Sequence, residues 1–284
     1  DPRRGVRTDC SKREPQSGAG TVHSFLMLLA LDIGNSTIAA AVFDGPRLRA
    51  HARASSTVQR TPEETWQVIE GFLHDAGLSA EQLHAVGISS VVPFLTSLFD
   101  SLVRRKLGIV PVHISASLPL GFAIHYDQPT ALGSDRICGA AAGYAKYGGP
   151  LIVIDFGTAT TYGVVGANGD FLGGAISLGV KSTADALHSR TAQLPPIELA
   201  APAKAICTDT VSAMQAGTMF SAIDAVEGMI ARLKRELRTD AQVVATGGLS
   251  GIMVPLVPSI NHHEPMLVLE GVRLLCRRVA GMRS

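Results

Sequence analysis

Aromatic residues are scarce in this 284-residue chain, at 5% with a single Trp. Charge is scarce too, at 17%, and the 25 Lys and Arg nearly balance the 24 Asp and Glu. A formal charge of +1 provides no broad basic field, so bulk electrostatic capture of nucleic acid or of an anionic membrane is not expected. The four cysteines, Cys10, Cys138, Cys207 and Cys276, are too few and too scattered for a disulfide framework, and no CxxC occurs. They read as small hydrophobes in a reducing, cytoplasmic setting. No apolar run approaches the roughly 18 residues of a membrane-crossing helix. Aliphatic residues are plentiful instead. Hydrophobic residues reach 46%, which suits a folded core and is too many for a disordered chain. At about 100–200 residues per domain, the length predicts two modest domains or one large one.

Residues 1–24 are polar, rich in Arg, Gly, Pro and Ser, and without periodicity. They lack the 7–15-residue apolar stretch of a secretory signal and read as a disordered leader or cloning remnant. Structure is expected from Phe25 onward. Short apolar runs then predict strands at Leu28–Ile33, Thr37–Phe43 and Arg47–Ser55, with a turn at Asp44-Gly45-Pro46. Pro62 opens a helix at its first turn. A strand at His84–Val92, a helix at Pro93–Lys106, a short strand at Pro111–Ile114 and an Ala-rich helix at Ser134–Lys146 follow.

The plan then restarts. Strands are expected at Leu151–Ile154, Thr160–Val165 and Phe171–Ile176. Helices are expected at about 180–189 and 208–237, then a strand at Val243–Ala245 and a last helix at about 267–279. Asp32-Ile33-Gly34 and Asp155-Phe156-Gly157 head the two copies, about one domain length apart, which points to an internal duplication. Each Gly motif runs into another strand, as a hairpin does, and not into the helix of a dinucleotide-binding fold.

These turns carry the candidate chemistry. Gly34 lets backbone approach a ligand, and the N–H groups and hydroxyls around Asn35, Ser36 and Thr37 suit phosphate oxygens. Asp32 suits Mg²⁺, which combines a carboxylate, waters and phosphate oxygens. The second turn, from Asp155 through Thr158 to Thr161, repeats the offer. Thr246-Gly247-Gly248 is a third element, suited to close packing against an adenosine. Any one of them is most simply an ordinary polar turn; three in this order point to polyphosphate.

The layout resembles the actin, sugar-kinase and heat-shock-chaperone ATPase superfamily. Within it, LLALDIGNST, YDQPTALGSDR, YGGPLIVIDFGTATT and ATGGLSG are similar to type III pantothenate kinases. The resemblance implies an α/β fold of two ribonuclease-H-like domains, 25–146 and 147–284, around a central cleft. It implies ATP-dependent phosphorylation of pantothenate to 4′-phosphopantothenate, the first step of coenzyme A biosynthesis. Residue by residue, it implies ATP contacts at Asp32, Ile33, Gly34, Asn35, Ser36, Thr37, Ile38, Ala39 and Thr158. Pantothenate contacts are implied at Tyr126, Gly133, Ser134, Asp135, Arg136 and Thr210, with Asp135 as general base. Asp155 is implied as ligand of a monovalent cation, K⁺ or NH₄⁺, with Mg²⁺ assigned to Asp32. A cytoplasmic homodimer is also implied, with no nucleic-acid or membrane partner.

The residues themselves agree with these roles: a carboxylate can accept the alcohol proton, and an arginine beside it suits an acid substrate. The plainer reading is that Asp135 begins a helix and Arg136 makes a surface pair. Departures from the family pattern fall at Ser36, Gln128, Ala131, Gly163 and Leu178, and none removes a proposed catalytic group. His262-His263-Glu264 lacks metal-ligand spacing, because adjacent strand residues face opposite ways. Two rivals are a nucleotide-binding regulatory accessory factor of the same fold, which would not need Asp135-Arg136, and a kinase for another small alcohol or sugar.

Overall fold

The computed structural model describes residues 27–56 and 61–281. The expected leader and Phe25 lie outside the described residues. Strand β1 (Met27–Ile33) pairs antiparallel with β2 (Thr37–Asp44), and β2 with β3 (Arg47–Ser55). Helix α1 (Pro62–Asp75) starts at a capping box, in which Thr61 and Glu64 each bond the other's backbone N–H, with Pro62 in the first turn. Strand β4 (Ala85–Ser90) returns parallel to β1, helix α2 (Pro93–Leu107) follows, and β5 (Val112–His113) closes the first sheet in the order β3-β2-β1-β4-β5.

After helix α3 (Ser134–Tyr147) the plan recurs: β6 (Leu151–Phe156), β7 (Ala159–Val165) and β8 (Phe171–Leu178) form antiparallel pairs. Helices α4 (Val180–Ser189) and α5 (Thr210–Leu237) lead to β9 (Gln242–Thr246), parallel to β6. A short α6 (Ser250–Met253), β10 (His262–His263) and α7 (Leu267–Val279) complete the chain. The second sheet runs β10-β9-β6-β7-β8, the same topology as the first. The duplication expected from the two Asp-x-Gly motifs is therefore structural, and the architecture is a pair of ribonuclease-H-like α/β units.

Alternation along the strands divides the interior into layers. In β1, Leu29, Leu31 and Ile33 join Trp66, Ile69 and Phe99 in a core beneath α1 and α2. Leu28 and Ala30 face the other way, into a core shared with α3, α7 and the second sheet. In β6, Leu151 and Val153 enter that shared core, while Ile152, Ile154 and Phe156 pack beneath α5. The sandwiched helices exchange sheets. Helix α3 follows the first sheet in sequence yet lies on β6 and β7, and α7, at the far end, lies on β1 and β4.

Small residues make this crossing close. A Cβ on Gly271 of α7 would sit 2.1 Å from the Cys138 carbonyl oxygen of α3. A Cβ on Gly143 would lie 2.6 Å from the Leu151 side chain, and one on Gly87 would lie 2.3 Å from Cys276 Sγ. The Ala-rich composition of α3 thus reflects contact with a sheet below and a helix beside it. His262-His263-Glu264 is structural: His262 stacks on Tyr147 at 3.9 Å, His263 pairs with Ser250 at 2.9 Å, and Glu264 holds Lys146.

Gly271→Ala would raise intrinsic helix propensity by about 1 kcal/mol. Against backbone at 2.1 Å, overpacking of roughly 1–3 kcal/mol is expected to prevail. The variant should melt below the parent, and Gly271→Val lower still. A Tm at or above that of the parent would show that the two helices are free to separate.

Candidate active site

The two Asp-x-Gly hairpins face each other across a cleft of about 420 Å³. Strand β1 carries Asp32 next to its last residue and turns at Gly34, whose N–H donates to the Thr37 carbonyl at 2.9 Å. Strand β6 reaches Asp155 and turns at Gly157, whose N–H donates to the Ala159 carbonyl at 3.1 Å. Ser36 Oγ and Thr158 Oγ1 touch across the gap at 2.9 Å. Ser56, at the end of β3, clamps the first turn: its Oγ donates to the Gly34 carbonyl at 2.6 Å and its N–H to the Ser36 carbonyl at 3.1 Å. Sequence reading missed Ser56, because nothing in the sequence places the end of β3 against the β1–β2 turn.

Three half-buried carboxyls meet here. Asp32 Oδ1 accepts from Ser89 Oγ at 2.8 Å. Ser89 Oγ lies 3.0 Å from Ser134 Oγ, which accepts the Ser90 N–H at 2.8 Å. This buried chain ties the carboxyl of the first hairpin to the first residue of α3. The next residue of that helix is Asp135, whose Oδ1 accepts the Arg136 N–H at 2.8 Å. A Cβ on Gly133 would sit 2.4 Å from that oxygen, so glycine is what lets the carboxyl fold back over the helix start. Asp155 is similarly crowded: a Cβ on Gly247, itself at φ 96°, would lie 2.3 Å from Asp155 Oδ1. This explains the first glycine of Thr246-Gly247-Gly248.

Burial pushes the Asp32 and Asp155 carboxyls up to about 7. The Asp135 charge raises both further, while Arg53 pulls both down and the Ser89 hydrogen bond pulls Asp32 down, about 7 being the balance of all these effects. Asp135 is raised by burial as well, against the pull of the Arg136 N–H and guanidinium. Burial therefore outweighs the pull of Arg53 on Asp32 and Asp155. Among the described residues no three His, Cys, Asp or Glu side chains gather to hold a metal by themselves. A cation here would be shared between one protein carboxylate and ligand oxygens, as Mg²⁺ on a nucleotide is.

Most of the residues singled out from the sequence converge. Asp32, Gly34, Asn35, Ser36, Thr37, and across the gap Thr158, line the cleft with Ala39, Asp135 and Asp155. Ile33 is wholly buried in the first core and Ile38 packs against it, so neither side chain faces the cleft. Gly133 and Ser134 support Asp135 from behind. Arg136 extends along the far side, its Nη1 donating to Tyr126 Oη at 3.4 Å and its Nη2 to the Tyr162 carbonyl at 3.2 Å. The guanidinium lies 5.9 Å from the Tyr126 ring centre and 5.3 Å from that of Phe171, and its buried Nε has no partner. Thr210, exposed at the start of α5, does not line the cleft of its own chain. Arg53 and Lys181 do line it and were not singled out, because strand β3 and helix α4 carry no motif.

Two duplicated α/β units closing hairpins and carboxylates over one cleft define the class of actin-like ATPases and sugar kinases. The family model for type III pantothenate kinase matches residues 28–232. The type III pantothenate kinase of Moorella thermoacetica is 42% identical over 89% of this chain and 99% of its own length. That of Thermomicrobium roseum is 38% identical over 89% and 98%. Among solved structures, a Campylobacter jejuni protein assigned to the Baf family of transcriptional activators shares the fold at a TM-score of 0.56. It is 17% identical, with 89% of this chain and 99% of that one covered. The chain belongs to the type III pantothenate kinase family.

Carboxyls that ionise near 7 when folded and near 4 when unfolded bind protons preferentially in the folded state. Their contribution to stability is therefore full below pH 4 and lost as the pH rises through 7. Without nucleotide, the stability of Asp32→Asn or Asp155→Asn relative to the parent should grow by on the order of 2 kcal/mol between pH 5 and pH 8. Urea unfolding at the two pH values measures this, and a difference independent of pH would contradict it.

Proposed function

We propose that this chain transfers the γ-phosphoryl group of ATP to the primary 4′-hydroxyl of pantothenate. The observation that carries the reading is the placement of Asp135 and Arg136. One helix start sets a carboxylate on the wall shared with both hairpins and turns a half-buried guanidinium toward the adjoining pocket. A nucleotide-binding accessory factor has no use for that pair, and a sugar has no carboxylate for Arg136.

Phosphoryl transfer asks the protein mainly for positioning and charge compensation. The turns at Gly34–Thr37 and Gly157–Thr158 offer N–H groups and hydroxyls to the phosphates from both sides. Gly248, beside the cleft, leaves room for the nucleoside. Asp32 would hold Mg²⁺ through an oxygen not used by Ser89. Asp155, beside the Thr246 and Thr161 hydroxyls, offers the mixed oxygen set that K⁺ or NH₄⁺ takes. Such cations supply compensation for the phosphate charge.

Arg136, lodged between Tyr126 and Phe171, holds the substrate carboxylate through its fork. Asp135 accepts the 4′-hydroxyl proton as the oxygen bonds to the γ-phosphorus. The bond from that phosphorus to the bridging oxygen breaks, and its electron pair leaves with ADP.

Assembly belongs to the same reading. Helix α5 spends Met214, Met219, Val226 and Ile230 on its own chain's interior, yet Val211 beside Thr210 is exposed. Ile176 and Leu178, on the edge strand β8, are 62% and 61% exposed, and Ile206 is 89% exposed. A second copy in a homodimer would cover such exposed apolar side chains, bringing Thr210 of one chain to the site around Asp135 of the other.

Asp135→Asn preserves size and removes the proton acceptor, so kcat should fall roughly 10²–10⁴-fold with ATP binding retained. A pantothenate-dependent ADP-release assay measures the loss, and near-parental turnover would remove Asp135 from the mechanism.

The shared site is tested by mixing Asp135→Asn with Thr210→Arg subunits, each inactive alone. One of the two sites in each heterodimer then contains neither change, so activity should return. Confirmed subunit exchange without activity, or a monomer by sedimentation, would refute the arrangement.

A further inference from the structure

The cleft has a cation that no motif announced. Strand register sets Asp32 of β1 opposite Ala39 of β2, and Ala39 opposite Arg53 of β3. Cross-strand partners point to the same face of a sheet. Asp32, Ala39 and Arg53 therefore form one row, and all three line the cleft. Alanine in the middle leaves open space between the acid and the base. Arg53 extends over that space to the second unit, where its Nη2 donates to the Pro265 carbonyl at 3.2 Å, just ahead of α7. A Cβ on Gly248 would lie 3.4 Å from its Nη1, so the guanidinium sits beside the glycine pair.

Arg53 is also uncommitted. Among the described residues it forms no ion pair, although its charge is felt by both Asp32 and Asp155. Lys181, the other cation lining the cleft among the described residues, is held by Asp185 at 3.0 Å. Neither hairpin carries the lysine that a P-loop uses on its phosphates. A planar guanidinium suits bidentate pairing with phosphate oxygens, and Lys does not reproduce its geometry.

We propose that Arg53 is the phosphate-contacting arginine of this kinase, pairing with the terminal phosphates of the nucleotide and taking up charge on the transferring phosphoryl group. It exchanges no proton or covalent bond in the reaction. Its hold on Pro265 keeps it at the junction of the two units until phosphate oxygens engage its free N–H groups. This rests on the reading of the cleft as the ATP site.

The test compares Arg53→Ala and Arg53→Lys with the parent. Calorimetry gives the affinities for ATP and AMP, and the ADP-release assay gives kcat and KM for each substrate. Arg53→Ala should lose roughly 10²–10³-fold in kcat/KM for ATP, the scale of one preorganised donor in phosphoryl or acyl transfer. AMP affinity and the KM for pantothenate should stay within about threefold. Millimolar guanidinium should restore part of the kcat of Arg53→Ala, and ethylammonium should not. Arg53→Lys should lie between parent and Ala. A kcat/KM for ATP within threefold of the parent would overturn the proposal. So would equal losses toward ATP and AMP without guanidinium rescue, which mark a structural role. Failure of the parent chain to bind ATP would instead overturn the reading of the cleft, and the proposal with it.

Discussion

The contact on which the rest depends is the close approach of α3 and α7, the two helices held between the sheets. Gly271 meets the Cys138 backbone there with no room for a side chain. Because α3 lies on the second sheet and α7 on the first, this one contact fixes how the duplicated units sit. The start of α3 carries Asp135, and the segment entering α7 carries Pro265, the partner of Arg53. Closely packed interiors transmit such displacements, so a shift of one helix would move the candidate base relative to both hairpins.

That rigidity carries an electrostatic cost. Asp32, Asp135 and Asp155 are brought together in surroundings whose burial disfavours their charge, and Arg53 and Arg136 offset it only in part. The Ser89–Ser134 chain stabilises the Asp32 carboxylate from beneath, and Arg53 supplies a cation from above. A site built this way favours ligands that arrive with cations. It also retains the proton affinity that a carboxylate needs to act as a base near neutral pH.

The same logic explains which parts were legible. The Asp-x-Gly hairpins and the glycine pair are local devices, in which tight turns require particular residues at fixed offsets, so sequence alone displays them; the Gly-Ser-Asp-Arg segment was legible through the family resemblance. Strand β3 was legible as a strand, at the residues observed. The role of Arg53 within it was not, because register with β2 decides what faces the cleft, and register is a property of two strands. Ser56 and Ser89 were silent for the same reason: their partners lie 22 and 57 residues away.

The sequence by itself determined the duplication and the two phosphate-suited turns, because hydrophobic periodicity and glycine placement are written residue by residue, and its resemblance to a known family implied the class of fold. Only the tertiary structure decided that the middle helices exchange sheets, that Ile33 and Ile38 belong to the core and that Thr210 stands apart from its own cleft. It also decided that one arginine spans the two units. Those outcomes depend on which surfaces meet across long stretches of chain, and the meeting is set by volume and close packing.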